Sequence, residues 1–214
     1  MSKLLYGRFQ DRINDLRMFY GYQSIDLIFY DPPYGVTGLQ WDKPFNPIEE
    51  IELIDTMLSK NGTVAIFGNG LDFALKRDAE FIKYFNFCYK WYWIKSRKGS
   101  HLHSSVKPLS QVEEISIFKR KNSNFTFNSG VVTNILEYDS TKVLGKIHPC
   151  QKPIELCKRI IEIYTNVGDY VLDICSGSGS IPQAARLIGR NFIGIESDKV
   201  YFQDSEHRLR TKNE

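Results

Sequence analysis

Apolar residues in this chain fall into two kinds of pattern. Short continuous runs alternate with longer stretches in which apolar positions recur every three or four residues. Residues 26–30, 63–67 and 170–174 are of the first kind, rich in β-branched and aromatic residues with little alternation, as expected of strands covered on both faces. Further strands are expected at 4–6, 87–95, 113–119 and 191–195. Helical spacing predicts helices over 11–20, 71–84, 153–166, 181–188 and from Asp198, placed to cap it, to about Arg210. Another helix is expected from Pro47, with Glu49 and Glu50 in its first turn, to Asn61-Gly62. Its apolar face would be Ile48, Ile51, Ile54 and Leu58. Residues 122–145 are rich in Asn, Ser and Thr and weakly periodic; an irregular segment or small β-insertion is expected there. Strands alternating with helices along the whole chain mean an α/β fold, with a mostly parallel sheet and helices on both faces.

In such sheets, ligand sites gather at the carboxyl ends of strands. Two strand ends carry unusual residues. The first delivers Asp31-Pro32-Pro33-Tyr34. Proline cannot continue a central strand and holds the preceding residue extended. A carboxylate, a constrained carbonyl and an aromatic face are thus presented within four residues, a set suited to gripping a planar base that carries an amino group. The second is Asp173-Ile174-Cys175-Ser176-Gly177-Ser178-Gly179-Ser180, between a strand and a helix, with Glu196 at the end of the next strand. Its glycines allow a sharp turn and close approach of a ligand, and an acid at the spacing of Glu196 suits ribose hydroxyls. A dinucleotide would call for glycine where Pro182 stands, and Asp173 disfavours phosphate while favouring a cation. S-adenosylmethionine, a sulfonium without phosphate, fits this pattern better than a nicotinamide dinucleotide. His148-Pro149-Cys150-Gln151-Lys152-Pro153 leads into this half of the chain, its prolines fixing the backbone around Gln151 and Lys152.

Composition narrows the picture. At 214 residues with 42% apolar content, the chain suits one domain with a sizeable core. It holds no run long enough for a membrane helix and no signal peptide. Its four cysteines lack the spacing of zinc sites and read as reduced thiols of a cytoplasmic protein. Net charge is only +3, but residues 95–121 hold seven Lys and Arg against two acids, Glu113 and Glu114. Phosphate contacts are expected there, from Lys95, Arg97, Lys98 and Lys107, with His101 and His103 as polar neighbours rather than metal ligands.

Taken together, these motifs resemble the permuted (beta-group) amino DNA methyltransferases, which act on adenine N6 or cytosine N4. The resemblance rests on Asp31-Pro32-Pro33-Tyr34-Gly35, on residues 148–153, on Gly168-Asp169-Tyr170-Val171-Leu172-Asp173 with Gly177-Ser178-Gly179, and on residues 189–196 through Tyr201. It implies a Rossmann-like class I methyltransferase fold, a seven-stranded sheet with one antiparallel strand. It divides the single domain into a catalytic half (about 1–119), a short target-recognition segment (about 120–147) and a cofactor half (about 148–214). It implies methyl transfer from S-adenosylmethionine to adenine N6 in double-stranded DNA after base flipping, with Asp31 at the head of the tetrapeptide favouring adenine over cytosine N4. Asp31, Pro32, Pro33 and Tyr34 become the catalytic set. The implied cofactor set is Asp11, Asp31, His148, Gln151, Lys152, Pro153, Asp173, Cys175, Ser176, Gly177, Gly179 and Glu196. A homodimer and a cognate restriction enzyme are the partners such relatives bring to mind. The family usually has Pro and Phe where this chain has Ile174 and Cys175, which bears on cofactor affinity. A silent DNA-binding descendant and a nicotinamide-dependent oxidoreductase are the other classes weighed; the intact tetrapeptide opposes both.

Overall fold

The computed structural model describes residues 2–32, 47–68, 72–95, 110–130, 132–139 and 151–210. In chain order the elements are β1 (Lys3–Tyr6), α1 (Phe9–Tyr20), β2 (Ile25–Tyr30), α2 (Pro47–Met57), β3 (Leu58–Gly68), α3 (Asp72–Tyr84) and β4 (Phe85–Ile94). There follow β5 (Val112–Arg120), β6 (Ile135–Glu137), α4 (Ile154–Tyr164), β7 (Tyr170–Asp173), α5 (Ser180–Leu187), β8 (Asn191–Glu196) and α6 (Lys199–Arg210).

All the strands join one sheet in the order β1-β8-β7-β2-β3-β5-β4-β6. Every pairing is parallel except those of β5, which runs against both β3 and β4. The single antiparallel strand agrees with expectation, but the sheet has eight strands among the described residues rather than seven. The extra one is β6, three residues of the weakly periodic segment that pair with Tyr92, Trp93 and Ile94.

The central strands are buried on both sides, which is why their apolar runs are continuous. Ile28, Tyr30, Val64 and Ile66 pack against Phe9, Ile13 and Leu16 of α1, Ile51, Ile54 and Met57 of α2 and Phe81 of α3. Leu27, Phe29, Ala65 and Phe67 face the other way, onto α4 and α5. Because β1, β8, β7 and β2 are parallel neighbours, their carboxyl ends lie side by side; Tyr6 is level with Glu196, and Asp173 with Phe29.

One expectation fails at the end of α2. The helix stops at Met57, and Leu58 already pairs with Ile25 in β3. Asn61-Gly62 is therefore not a helix terminus. Gly62 serves a close approach instead: a Cβ there would stand 2.7 Å from the Leu58 side chain and 2.9 Å from the Ile25 carbonyl. Asp198 does cap α6, its Oδ1 accepting the backbone N–H of Val200 at 2.8 Å and of Tyr201 at 3.1 Å. Among the described residues, no helix is long and apolar enough to cross a membrane.

Candidate active site

Asp31 follows the last residue of β2, and Pro32, buried, ends the run. The Lys152 ammonium donates to Asp31 Oδ2 at 2.5 Å, with the two side chains only 8% and 18% exposed. Lys152 Nζ also lies 4.8 Å from the centre of the Phe67 ring and 3.7 Å from Glu113 Oε2. Glu113 reaches this edge because β5 is antiparallel: its beginning, not its end, lies beside the ends of the parallel strands. The other oxygen of Glu113 accepts from Lys95 Nζ, which sits 5.1 Å from the Trp93 ring centre. Asp31, Lys152, Glu113 and Lys95 thus form an alternating row of charges along the sheet edge.

Beside them is the glycine-rich loop. Gly177 and Gly179 have φ of 49° and 73°, a region that strains any residue with a Cβ. A Cβ on Gly179 would also come within 3.1 Å of Ser205, whose hydroxyl donates to the Gly177 carbonyl. Glu196 fastens the loop from the next strand. Its Oε2 accepts the Gly177 N–H at 2.6 Å and its Oε1 the Asp198 N–H at 2.7 Å. Carboxylate oxygens have two lone pairs each, so these bonds leave acceptor capacity for a ligand.

Asp173 is buried between the loop and β2. Burial pushes its carboxyl well above the usual carboxylate range; the charges of Asp31 and Glu196 add to the rise, while the Cys175 N–H and Lys152 oppose it. Burial likewise raises Glu196, against the pull of its backbone donors. Carboxyl groups of Asp31, Asp173 and Glu196 gather at this corner, a lining that suits a cationic ligand better than a phosphate. Glycines that permit close approach, a ribose-suited acid and a lining of carboxyl groups together fit the sulfonium nucleoside inferred from the sequence. Burial pushes the Cys175 thiol up, so it packs as a neutral group.

The remaining expected residues fall as follows. Gln151 accepts from Arg208 at 2.9 Å, and Arg208 also reaches Ser180 Oγ at 3.3 Å, tying α6 to both the Gln-Lys-Pro segment and the loop. Pro153 is the residue before α4 and accepts the Cys157 N–H. Ser176 is buried, its N–H donating to the Ile195 carbonyl. Asp11 lies in the first turn of α1, accepting from Nε and Nη2 of Arg8 at 3.0 Å each, and is half exposed. Gly7, just before, donates to the Glu196 carbonyl. Pro33, Tyr34, His148, Arg97, Lys98, His101, His103 and Lys107 lie outside the described residues. Of the basic stretch, Lys119, Arg120 and Lys121 are at the opposite edge of the sheet. Arg120 pairs there with Asp55, Lys119 with the Ser123 carbonyl and Lys121 with the Lys83 carbonyl. They do not add to a phosphate-binding surface beside Asp31.

Sequence reasoning missed a buried cluster behind Asp31. Tyr30 donates to Glu50 Oε2 at 2.5 Å, and Gln10 to Glu50 Oε1 at 2.7 Å. Burial raises the Glu50 carboxyl to about 7, against the pull of these two donors. Glu50 was legible only as a favourable charge at a helix start; its inward direction follows from α2 packing on α1.

Known proteins bear on this arrangement. The chain is 32% identical over 234 residues to "Type II methyltransferase M2.DpnII" of Streptococcus pneumoniae, across 90% of this chain and 85% of that one. It is 29% identical to "DNA adenine methyltransferase YhdJ" of Escherichia coli (strain K12), across 87% and 76%. The crystal structure of the M1.HpyAVI-SAM complex superimposes with a TM-score of 0.81 at 26% identity, across 99% of this chain and all of that one. A model of the DNA methylase family (N6_N4_Mtase) matches residues 25–207, from β2 into α6, and the chain belongs to that family.

Proposed function

We propose that this chain transfers a methyl group from S-adenosylmethionine to the N6 amino group of adenine in double-stranded DNA. The observation that carries this reading is the placement of Asp31: a carboxylate at the end of β2, next to the loop and acids suited to a sulfonium nucleoside. The relative named DNA adenine methyltransferase YhdJ supports the choice of base.

The bound cofactor supplies an electrophilic methyl group. The chain's own residues would do the rest. Glu196 and the backbone of residues 177–179 hold the nucleoside, and the carboxylates around Lys152 favour its positive end. An exocyclic amino nitrogen is a poor nucleophile because its lone pair is shared with the ring. Asp31 and a proline carbonyl of residues 32–33 would accept its N–H bonds, drawing the nitrogen toward tetrahedral geometry. Holding donor and acceptor in contact supplies much of the remaining acceleration; as the nitrogen–methyl bond forms the sulfur–methyl bond would break to leave a neutral thioether, and the amino nitrogen would lose one proton after transfer. A base stacked within a duplex must be flipped out to reach this edge, and Tyr34, the aromatic residue of the tetrapeptide, would stack on it. The order of the motifs, tetrapeptide before cofactor loop, is that of the permuted group. A cognate restriction enzyme and a cytoplasmic setting complete the reading.

The test is modification-sensitive sequencing of DNA from a methylation-deficient bacterial host expressing the chain, beside an Asp31→Ala control. N6-methyladenine at a recurring motif, lost in the control, is the expected result, with a fall in rate of about 1000-fold or more. N4-methylcytosine would replace adenine in the reading. A soluble, cofactor-binding chain that leaves no mark would overturn it.

A further inference from the structure

Lys152 stands between two acids. Its ammonium donates to Asp31 Oδ2 at 2.5 Å, while Glu113 Oε2 lies 3.7 Å away. That Glu113 oxygen is buried and takes no hydrogen bond, although its twin accepts from Lys95. A buried carboxylate oxygen left without a donor is costly. A movement of about 1 Å by the Lys152 ammonium would supply one. A lysine head on a four-carbon stem makes such a movement easily, and the Phe67 ring lies alongside it.

We infer that Glu113 is a positioning residue for methyl transfer: it offers Lys152 a second seat, so that Asp31 can exchange the ammonium for the amino group of the target base. The inference rests on the role proposed above for Asp31. Pairing with an ammonium at hydrogen-bond distance draws charge from the Asp31 carboxylate and weakens it as an acceptor for a neutral N–H, although lone pairs remain. Removing that ammonium without another acceptor would strand a charge whose side chain is 8% exposed. Glu113 removes that obstacle, because the same lysine can remain paired in both arrangements. The antiparallel direction of β5 is what brings an acid to this position, from a strand that contributes nothing to the cofactor loop.

The experiment uses the full chain, tritiated S-adenosylmethionine and genomic DNA from a methylation-deficient host. A silent wild type overturns the reading of Asp31 on which the inference rests. With an active wild type, Glu113→Gln is expected to lower the single-turnover rate at saturating DNA by about tenfold or more, with cofactor and DNA dissociation constants changed less than about twofold. Glu113→Asp should recover part of the rate. In a Lys152→Met background the same Glu113→Gln change should alter the rate less than about twofold, since both residues act in one exchange. A wild-type rate in Glu113→Gln overturns the inference. So does a loss confined to DNA affinity, which would act through Lys95, and so do independent effects of the two substitutions. If Glu113→Gln does not fold, as judged by its melting transition, Glu113→Asp decides: a several-fold loss of rate with retained folding supports the second seat, and an unchanged rate overturns it.

Discussion

The glycine-rich loop and the Asp31 carboxylate sit side by side on one sheet edge, yet they are held in opposite ways. The loop is fastened by near neighbours in sequence: Cys175 to Asp173, Gly177 to Glu196 across 19 residues, Ser205 to Gly177 across 28. Asp31 is gripped by Lys152 from 121 residues away, and Lys152 in turn faces an acid on the antiparallel strand. A loop built of local bonds forms as soon as its strand and helix do. A charge row assembled from three distant segments depends on the whole sheet being in register.

If that contrast is right, disturbing the support of Asp31 affects the whole molecule, whereas disturbing the loop affects the ligand. The largest expected effect concerns Glu50, which holds Tyr30 immediately before Asp31. Its carboxyl titrates at about 7 in the folded chain against an ordinary 4.5. The sign follows from proton linkage: the stability it contributes is complete below about pH 4.5 and is lost as pH rises through about 7. Glu50→Gln should remove roughly 3 kcal/mol of that pH dependence, measured by denaturant unfolding at intervals across the window. An unchanged profile would mean that Glu50 is not isolated from solvent. Next in size, Glu196→Gln should weaken cofactor binding by about tenfold to a hundredfold in calorimetry while moving the melting transition little. A large loss of stability there would erase the distinction between the two regions. The smallest effect is expected from Arg208→Met. That side chain joins the two regions, bonding Ser180 on one side and Gln151, next to Lys152, on the other. Losing it should lower both cofactor affinity and turnover by about fivefold, each read separately at saturating concentrations of the other substrate.

The same contrast explains what the sequence disclosed. Asp173, the glycines and Glu196 are recognisable because their spacing follows from one strand, one turn and the next strand. Asp31 was recognisable from the prolines behind it. The pairing of Lys152 with Asp31 was not, since nothing local to either residue specifies it. Glu113 read as one acid in a basic stretch because the direction of β5 decides where it lies. That direction also carries Lys119, Arg120 and Lys121 to the far edge, although they are close in sequence to the expected phosphate contacts. Gly62 looked like a helix terminus because glycine serves both there and at tight approaches; only the proximity of Leu58 and Ile25 distinguishes the two. The eighth strand lies where the sequence left an irregular segment and a small β-insertion both open, because three residues paired from outside leave no periodicity of their own.

That short strand has a consequence of its own. β4 reads Phe-Asn-Phe-Cys-Tyr-Lys-Trp-Tyr-Trp-Ile, and without β6 its outer side would be a long aromatic row of unpaired backbone groups. β6 pairs with Tyr92–Ile94, and the Asn134 side chain covers the Lys90 carbonyl at 3.0 Å. Exposed strands of this composition recruit other chains and precipitate. β6 thus covers the carboxyl end of that strand, at Tyr92–Ile94, against pairing with another chain. Loss of β6 would show first as poor solubility on expression.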